Sequence, residues 1–223
     1  STTEMSYVPM TLAWSQSGFK ISGTVSYLAI KAAAGEPSAA ADSNGALPDS
    51  GKASGAGDSF LKGSYDFTTV SRRLVLRPQV KLKIPTADAD RGLGTGATDY
   101  TAQLDAFYYV EGWWPFVSAG YRWRGDTRYE FDNGVSRQSY SVDYKNSPLF
   151  GAGFFKPLSA QTSIMLAYEH RAPSFTDRAA SEELILTVQH RFDTHWQAGV
   201  SAGTGFTQRS YDQLYGVQLE YRF

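Results

Sequence analysis

The feature that most constrains the fold is the strict two-residue alternation of the last ten residues, 214–223. One set of positions carries Tyr215, Val217, Leu219, Tyr221 and Phe223, and the other carries Gly216, Gln218, Glu220 and Arg222. Alternation with a period of two predicts a β-strand whose faces meet different environments. The apolar face could pack on the core of a soluble sheet or face lipid. A final aromatic residue is typical of bacterial outer-membrane barrels, which favours lipid.

Overall hydropathy excludes a helical membrane protein but not a barrel. Mean hydropathy is −0.35, and no run of about 20 apolar residues, the length that a transmembrane helix needs, occurs in the chain. A barrel strand exposes only every second side chain to lipid, so its average hydropathy resembles that of a soluble protein. The formal net charge of −1, without basic blocks, argues against nucleic acid as a partner.

The chain has no cysteine, which is compatible with an oxidising compartment such as the bacterial envelope. Residues 1–4 carry neither the charged start nor the apolar segment of a signal peptide. If the protein is exported, we expect this sequence to be a processed form.

The two-residue alternation recurs along the whole chain. It predicts eleven strands, at 8–14, 19–31, 59–67, 73–84, 101–110, 117–123, 144–156, 163–171, 183–192, 196–206 and 214–223. Short connections near 15–18, 68–71, 111–114, 157–160 and 193–196 alternate with longer ones near 33–57, 86–99, 125–140, 172–181 and 207–213. Short periplasmic turns and long extracellular loops are typical of an outer-membrane up-and-down barrel.

The odd number of predicted strands has a consequence for the parent protein. Bacterial single-chain barrels have an even number of strands with both ends in the periplasm. We therefore expect about twelve strands, the first of them lying before Ser1, with ten as the alternative. Residues 1–223 would form a single barrel domain with a long mobile extracellular loop at 33–57, which is rich in Ala, Gly, Ser and Pro and lacks large apolar residues.

One strand, 73–84, is the most informative about the second face. Its apolar positions alternate with Arg73, Arg77, Lys81 and Lys83, and neither a soluble core nor lipid accepts four cations. This face therefore looks at water, outside a soluble sheet or inside a barrel. Pro78 cannot donate to the strand ladder and predicts a local bulge.

The stretch 80–100 resembles a specific family. Pro85-Thr86, Gly92-Leu-Gly-Thr-Gly96 and Thr98-Asp-Tyr100 match segments of a proteobacterial outer-membrane family labelled transporter-like or "meta-pathway of phenol degradation". Ala87 replaces the family's usual glycine, and Ile84 is an extra residue before the proline. Weaker similarity extends over most of the chain. The resemblance implies a passive-transport barrel with a poorly defined substrate and a strand before residue 1.

The polar strand faces predict the lining of a lumen. The candidate pore-lining residues are Lys62, Arg73, Arg77, Lys81, Asp105, Arg122, Arg124, Glu169, Arg171, Glu183, Arg191, Glu220 and Arg222. These charges could pair and fill the barrel, or leave an excess of cations that selects anionic solutes. Gly92, Gly94 and Gly96, with Asp99, predict a tightly folded loop that constricts the lumen. The five tryptophans lie mostly beside turns and are interpreted as interfacial girdle residues.

An enzyme is the competing class. Hydrolases of this membrane need a base, most often histidine, near a nucleophile. His170, His190 and His195 are followed by Arg-Ala, Arg-Phe and Trp-Gln, so no His-x-Ser pair shares a strand face. The sequence predicts no catalytic residue, no metal site and no cofactor.

The sequence thus predicts a bacterial outer-membrane channel for passive transport of small molecules, apolar or aromatic compounds among them. A barrel that serves as secretion or assembly partner of another envelope component is the alternative, and an outer-membrane hydrolase is a third. The expected partners are outer-membrane lipid and lipopolysaccharide, a small-molecule solute, and the barrel assembly machinery through the strand that ends at Phe223.

Overall fold

A computed structural model describes residues 4–31, 51–89, 91–132, 137–142, 145–173, 180–207, 210 and 213–223. The described strands are β1 (Glu4–Gln16), β2 (Phe19–Lys31), β3 (Lys52–Ala56), β4 (Ser59–Tyr65), β5 (Phe67–Thr68), β6 (Leu74–Ile84), β7 (Asp99–Tyr108), β8 (Trp114–Trp123), β9 (Thr127–Asp132), β10 (Arg137–Val142), β11 (Ser147–Pro157), β12 (Thr162–Arg171), β13 (Ser181–Arg191), β14 (Trp196–Gly205) and β15 (Gln213–Arg222). Within the described ranges, no helix is long and apolar enough to cross a membrane.

The strands close into one barrel. β2 pairs with both β3 and β4, and β6 pairs with both β4 and β5, so these three short strands occupy a single position in a ring of eleven. Neighbours are antiparallel except at the closure, where β1 and β15 run parallel. An odd number of alternating strands requires one such parallel pair. The predicted all-β antiparallel barrel is confirmed, and the twelve-strand parent stays a prediction.

The alternation predicted from the sequence becomes the two faces of the wall. The outward positions of β1 are exposed and apolar, as are those of the other strands; they include Val8, Met10, Leu12, Trp14, Ile21, Val25, Leu104, Val117, Leu186, Val200 and Val217. The intervening positions face the interior and carry most of the charged side chains, together with an apolar cluster of Met5, Leu28, Ile30 and Ala53. This distribution reverses that of a soluble barrel, since the apolar side chains look outward.

The strand directions sort the connections by end. Short turns join β1 to β2, β6 to β5, β7 to β8, β11 to β12 and β13 to β14, and all lie at one end, called here the short-turn end. In the first of them Ser17 and Gly18 have φ of 50° and 86°, the primed turn geometry that suits twisted antiparallel strands. The long connections lie at the opposite end, called here the long-loop end.

The turn between β13 and β14 is held by Asp193. Its Oδ1 accepts the backbone N–H groups of His195 and Trp196, both at 2.7 Å. The bonds from Trp196 and then His195 lower the pKa of Asp193 below its ordinary value of 3.8. Because the folded pKa is the lower one, the ionised carboxylate stabilises the fold above the unfolded value, and this contribution is lost as pH falls through the folded pKa.

We therefore expect Asp193→Ala to cost more stability, relative to the unmodified protein, at about pH 6 than at about pH 2, because the contribution of the ionised carboxylate declines as pH falls through the folded pKa. Unfolding in denaturant at both pH values measures this. Asp193→Asn, which keeps an acceptor without the charge, serves as control. An equal loss of stability at both pH values would contradict the assignment.

Three local expectations were wrong: the extent of two predicted loops and a bulge at Pro78. The end of the predicted loop 33–57 forms β3, which pairs with β2 from Lys52 to Ala56, whereas residues 32–50 lie outside the described residues. The segment predicted as a loop at 125–140 forms the β9–β10 hairpin. The main strands, by contrast, agree with their predicted positions to within a few residues.

No bulge accompanies Pro78. The pairs Ser64↔Gln79 and Phe67↔Leu76 belong to one unbroken register on the two sides of this position. The ladder between β6 and its neighbour is interrupted here, and Asp66 donates its N–H to Gly18 O at 2.9 Å instead. The missing N–H of proline is thus accommodated at an interruption without an extra residue.

Candidate functional site

The barrel interior collects most of the predicted pore-lining residues. The candidates that lie at inward positions of a strand, or just beyond the end of one, are Lys62, Arg77, Lys81, Asp105, Arg122, Arg124, Glu169, Arg171, Glu183, Glu220 and Arg222. Arg73 and Arg191 are exposed at the short-turn end and lie on the rim. Trp114, interpreted from sequence as a girdle residue, shares the inward face of β8 with Phe116.

The interior charges form clusters along the axis, and the first lies near the short-turn end. Glu220 Oε1 accepts from Lys20 Nζ at 3.1 Å and from Arg222 Nε at 2.5 Å. Arg222 also donates to Gln197 Oε1 at 3.3 Å. Lys20 and Glu220 are 200 residues apart, and the closure of β1 on β15 and β2 brings them together.

A second cluster lies on β6 and β7. The Arg77 guanidinium donates to both oxygens of Asp66, at 2.5 and 2.9 Å, and lies 4.9 Å from the centre of the Phe107 ring. Asp105 accepts from Gln79 at 3.0 Å and from Gln103 at 2.6 Å. A bidentate arginine–carboxylate pair is geometrically rigid, so we expect Arg77 to line the lumen as part of a fixed pair.

A third cluster is centred on Arg171 of β12. Its guanidinium lies 2.5 Å from Glu169 Oε2 and 3.5 Å from Glu183 Oε2. Ser181 Oγ donates to Glu183 Oε1 at 2.8 Å. Glu169 and Glu183 are direct partners on adjacent strands, and one arginine therefore offsets the repulsion of two carboxylates.

Water reaches these clusters. The side chains of Arg77 and Asp66 each keep 35% of their surface accessible, and that of Glu169 keeps 41%. A packed core would leave such groups almost no accessible surface. At the short-turn end a cavity of about 160 Å³ continues the space, lined by residues such as Phe155, Gln189 and Gln197. The interior around these clusters and at this end therefore has room for water.

The long-loop end is narrowed by residues 85–89 and 91–98, called here the inner loop. Leu93 and Thr95 of this loop are each only 2% exposed. Leu93 packs into an apolar cluster on the inner wall, formed by Met5, Leu28, Ile30 and Ala53. Apolar side chains that face a charged lumen would be exposed to water. The inner loop covers this cluster and so buries it.

A buried lysine anchors the inner loop to the wall. Lys83 Nζ lies 3.2 Å from Asp99 Oδ2 and 3.4 Å from Asp58 Oδ2, and it donates to Thr95 Oγ1. The side chains of these three charged residues are only 8–10% accessible. Asp58 also accepts the Ala87 N–H at 3.1 Å.

The predicted constriction glycines have specific conformational roles. Gly92 and Gly96 have φ of 71° and 69°, in the left-handed region that favours glycine. A Cβ on Gly94 would lie 2.6 Å from Ala87 Cβ and 2.9 Å from Asp58 Oδ1. The glycines thus allow the inner loop to turn tightly and to approach the wall.

The three histidines do not come together. His170 and His190 lie on outward positions, where His170 Nδ1 is 3.3 Å from Glu182 Oε1 and His190 Nδ1 is 2.9 Å from Thr162 Oγ1. His195 is on a short turn, with Nδ1 3.0 Å from Thr194 Oγ1. In the part of the chain that the structure describes, no group of three histidines or carboxylates could hold a metal ion.

Sequence reasoning missed several functional candidates. Lys20, Asp58, Asp66 and Lys83 all pair inside the barrel and were left out of the pore-lining candidates, although the alternation already placed Lys83 on the polar face of its strand and could have placed Lys20 there too. Leu93 could not have been found, because its burial depends on where the loop folds.

The described fold is similar to that of an outer membrane channel from Pseudomonas putida F1, with a TM-score of 0.61, 17% sequence identity, and coverage of 86% of this chain and 72% of that one. A FadL homologue from Pseudomonas aeruginosa aligns with a TM-score of only 0.42 and 12% identity over 86% of this chain and 57% of its own. No protein-family profile and no curated protein matches the chain. The phenol-degradation resemblance accordingly stays a prediction. The fold, with its apolar outer face and charged interior, is that of a bacterial outer-membrane β-barrel.

Proposed function

We propose that this protein is an outer-membrane channel through which small molecules, apolar or aromatic compounds among them, cross passively. The accessible ion pairs in the middle of the barrel carry the proposal, because a barrel with a purely structural role would have no need of a hydrated interior. Transport then requires no cofactor, since a solute diffuses along its own gradient. The similar fold of a solved outer membrane channel supports the same function.

The inner loop sets the limit on what passes. The lumen is hydrated at its middle and at the short-turn end, and Leu93 and Thr95 occupy the opposite end. Passage therefore requires either a narrow path beside the inner loop or its displacement. Because one wall of this end is apolar, a solute with an apolar body would replace Leu93 there at low cost in hydration.

The outer surface and the last strand define the proposed partners. The exposed apolar band contacts lipid and lipopolysaccharide. Phe223 is 70% exposed, while its N–H donates to Ala13 O at 3.1 Å. We propose that this accessible aromatic end is presented to the barrel assembly machinery.

Proteoliposome swelling tests the channel. We expect vesicles that contain the purified protein to swell in small neutral solutes and to stop swelling as solute size increases, because the inner loop narrows the path. Vesicles that contain the protein after heat denaturation are the control. Swelling no faster than in the control for every solute, charged or neutral, would contradict passive transport.

A further inference from the structure

Two lysines of the lumen stand directly opposite each other. Lys62 of β4 and Lys81 of β6 are register partners, and both face the interior. Like charges at directly opposed positions of adjacent strands destabilise a sheet. An anion between or beside the two ammonium groups would offset this repulsion.

The charges around Lys81 are mostly of the same sign. Arg122, Arg171 and Lys62 act on it as cations, and Glu169 is the carboxylate that offsets them. Glu169 already accepts from Arg171 at 2.5 Å. Its negative charge is therefore shared with a closer cation.

The carboxylate nearest in effect to Lys62 is that of Asp105, and its negative charge is also shared with other groups. Both oxygens of Asp105 are occupied, one by Gln79 at 3.0 Å and the other by Gln103 at 2.6 Å. The two side-chain amides thus share the negative charge of Asp105, and Asp105 forms no salt bridge with Lys62 among the described residues.

Other lumen lysines are arranged differently. Lys20 lies 3.1 Å from Glu220, and Lys83 lies 3.2 and 3.4 Å from two aspartates. Neither Lys62 nor Lys81 forms a salt bridge with a carboxylate among the residues that the structure describes. The two lysines therefore face the barrel interior side by side without a salt-bridge partner among the described residues.

An aromatic wall adjoins the lysine pair. Lys81 Nζ lies 5.0 Å from the centre of the Phe60 ring, and Phe60 also faces the lumen from β4. The ring supplies a flat apolar surface beside the cations, which suits an organic body better than a fully hydrated inorganic ion.

We infer that Lys62 and Lys81 form a binding site for the carboxylate of a small organic anion, with Phe60 beside its apolar body. The inference rests on the proposed channel function, for which it names a substrate class. Each carboxylate oxygen would accept a charge-assisted hydrogen bond from one ammonium group. The bound anion would offset the repulsion between the two lysines.

Binding of benzoate to the full-length protein in detergent, measured by isothermal titration calorimetry, tests the site without relying on conductance. We expect Lys62→Gln/Lys81→Gln to raise the Kd for benzoate roughly ten-fold or more, which corresponds to about 1.4 kcal/mol. Lys156→Gln, which removes a cation that lies 4.1 Å from the centre of the Trp113 ring near the short-turn end, is the matched control and should leave the Kd within about two-fold. A difference in gel migration between unheated and heated samples of each variant shows that the variant has folded.

The outcomes separate the site from the channel. Equal benzoate affinity in the double variant and the control overturns the site, even if proteoliposomes swell. Lysine-dependent benzoate binding without any swelling supports the site and overturns passive transport. Binding of inorganic phosphate as tight as that of benzoate, or of benzyl alcohol as tight as that of benzoate, overturns the assignment to an organic carboxylate.

Discussion

Replacement of Lys83 by methionine is expected to release the inner loop and to raise the single-channel conductance. The substitution removes the cation that lies between Asp58 and Asp99 and leaves two buried carboxylates without it. Removing one partner of a buried ion pair costs about 3–5 kcal/mol, because the remaining charge is uncompensated. The backbone ladder between β4 and β6 does not depend on this side chain, so the cheapest response is detachment of the loop rather than loss of the barrel.

Lys156→Met is the matched control for Lys83→Met. Its ammonium group lies 4.1 Å from the centre of the Trp113 ring, near the short-turn end and remote from the inner loop. Recordings in planar bilayers should show larger unit conductance for Lys83→Met alone. Identical conductance for both variants and the unmodified protein would mean that the inner loop does not limit the path.

Arginine at two consecutive positions of β15 is expected to lower the free energy of unfolding by very different amounts. Val217 faces outward and is 54% exposed, whereas Gln218 faces the hydrated lumen near the middle of the same strand. Arginine on the lipid face at the bilayer midplane costs about 2–4 kcal/mol, and a lumen position has no such penalty. Val217→Arg should therefore lower the free energy of unfolding far more than Gln218→Arg.

Equilibrium unfolding in urea, with the proteins folded in lipid vesicles, measures this difference. Because the two positions share a strand and a depth, the substitutions differ chiefly in the face that they alter. Equal losses of stability, or a larger loss for Gln218→Arg, would contradict the assignment of the apolar face to lipid.

The sequence predicted the wall of the barrel better than its contents. Residues such as Val217 and Gln218 are assigned to faces by a two-residue period, which any single strand reveals. The pairing of Lys20 with Glu220 depends on the closure of the ring, and no local pattern encodes it. Asp66 falls within the predicted strand 59–67, on the same face as Lys62, but its pairing with Arg77 depends on the register of β6, which no local pattern encodes.

The short elements at the long-loop end were also beyond prediction. Residues 52–56 include no β-branched or aromatic side chain, so β3 forms through its pairing with β2 rather than through strand propensity. The positive φ of Gly92 and Gly96 suits the tight turn that the glycines predicted. The direction in which it folds depends on Leu93, whose apolar pocket is assembled from β1, β2 and β3. Tertiary packing decides both cases.

Single-channel recording of the purified protein beside Lys83→Met in planar bilayers tests the central claim most directly. A hydrated lumen narrowed by an anchored loop predicts small, discrete conductance steps for the unmodified protein and larger steps for the variant. Silence of both proteins at all voltages and salt concentrations, with both shown to be folded, would contradict a continuous water-filled path.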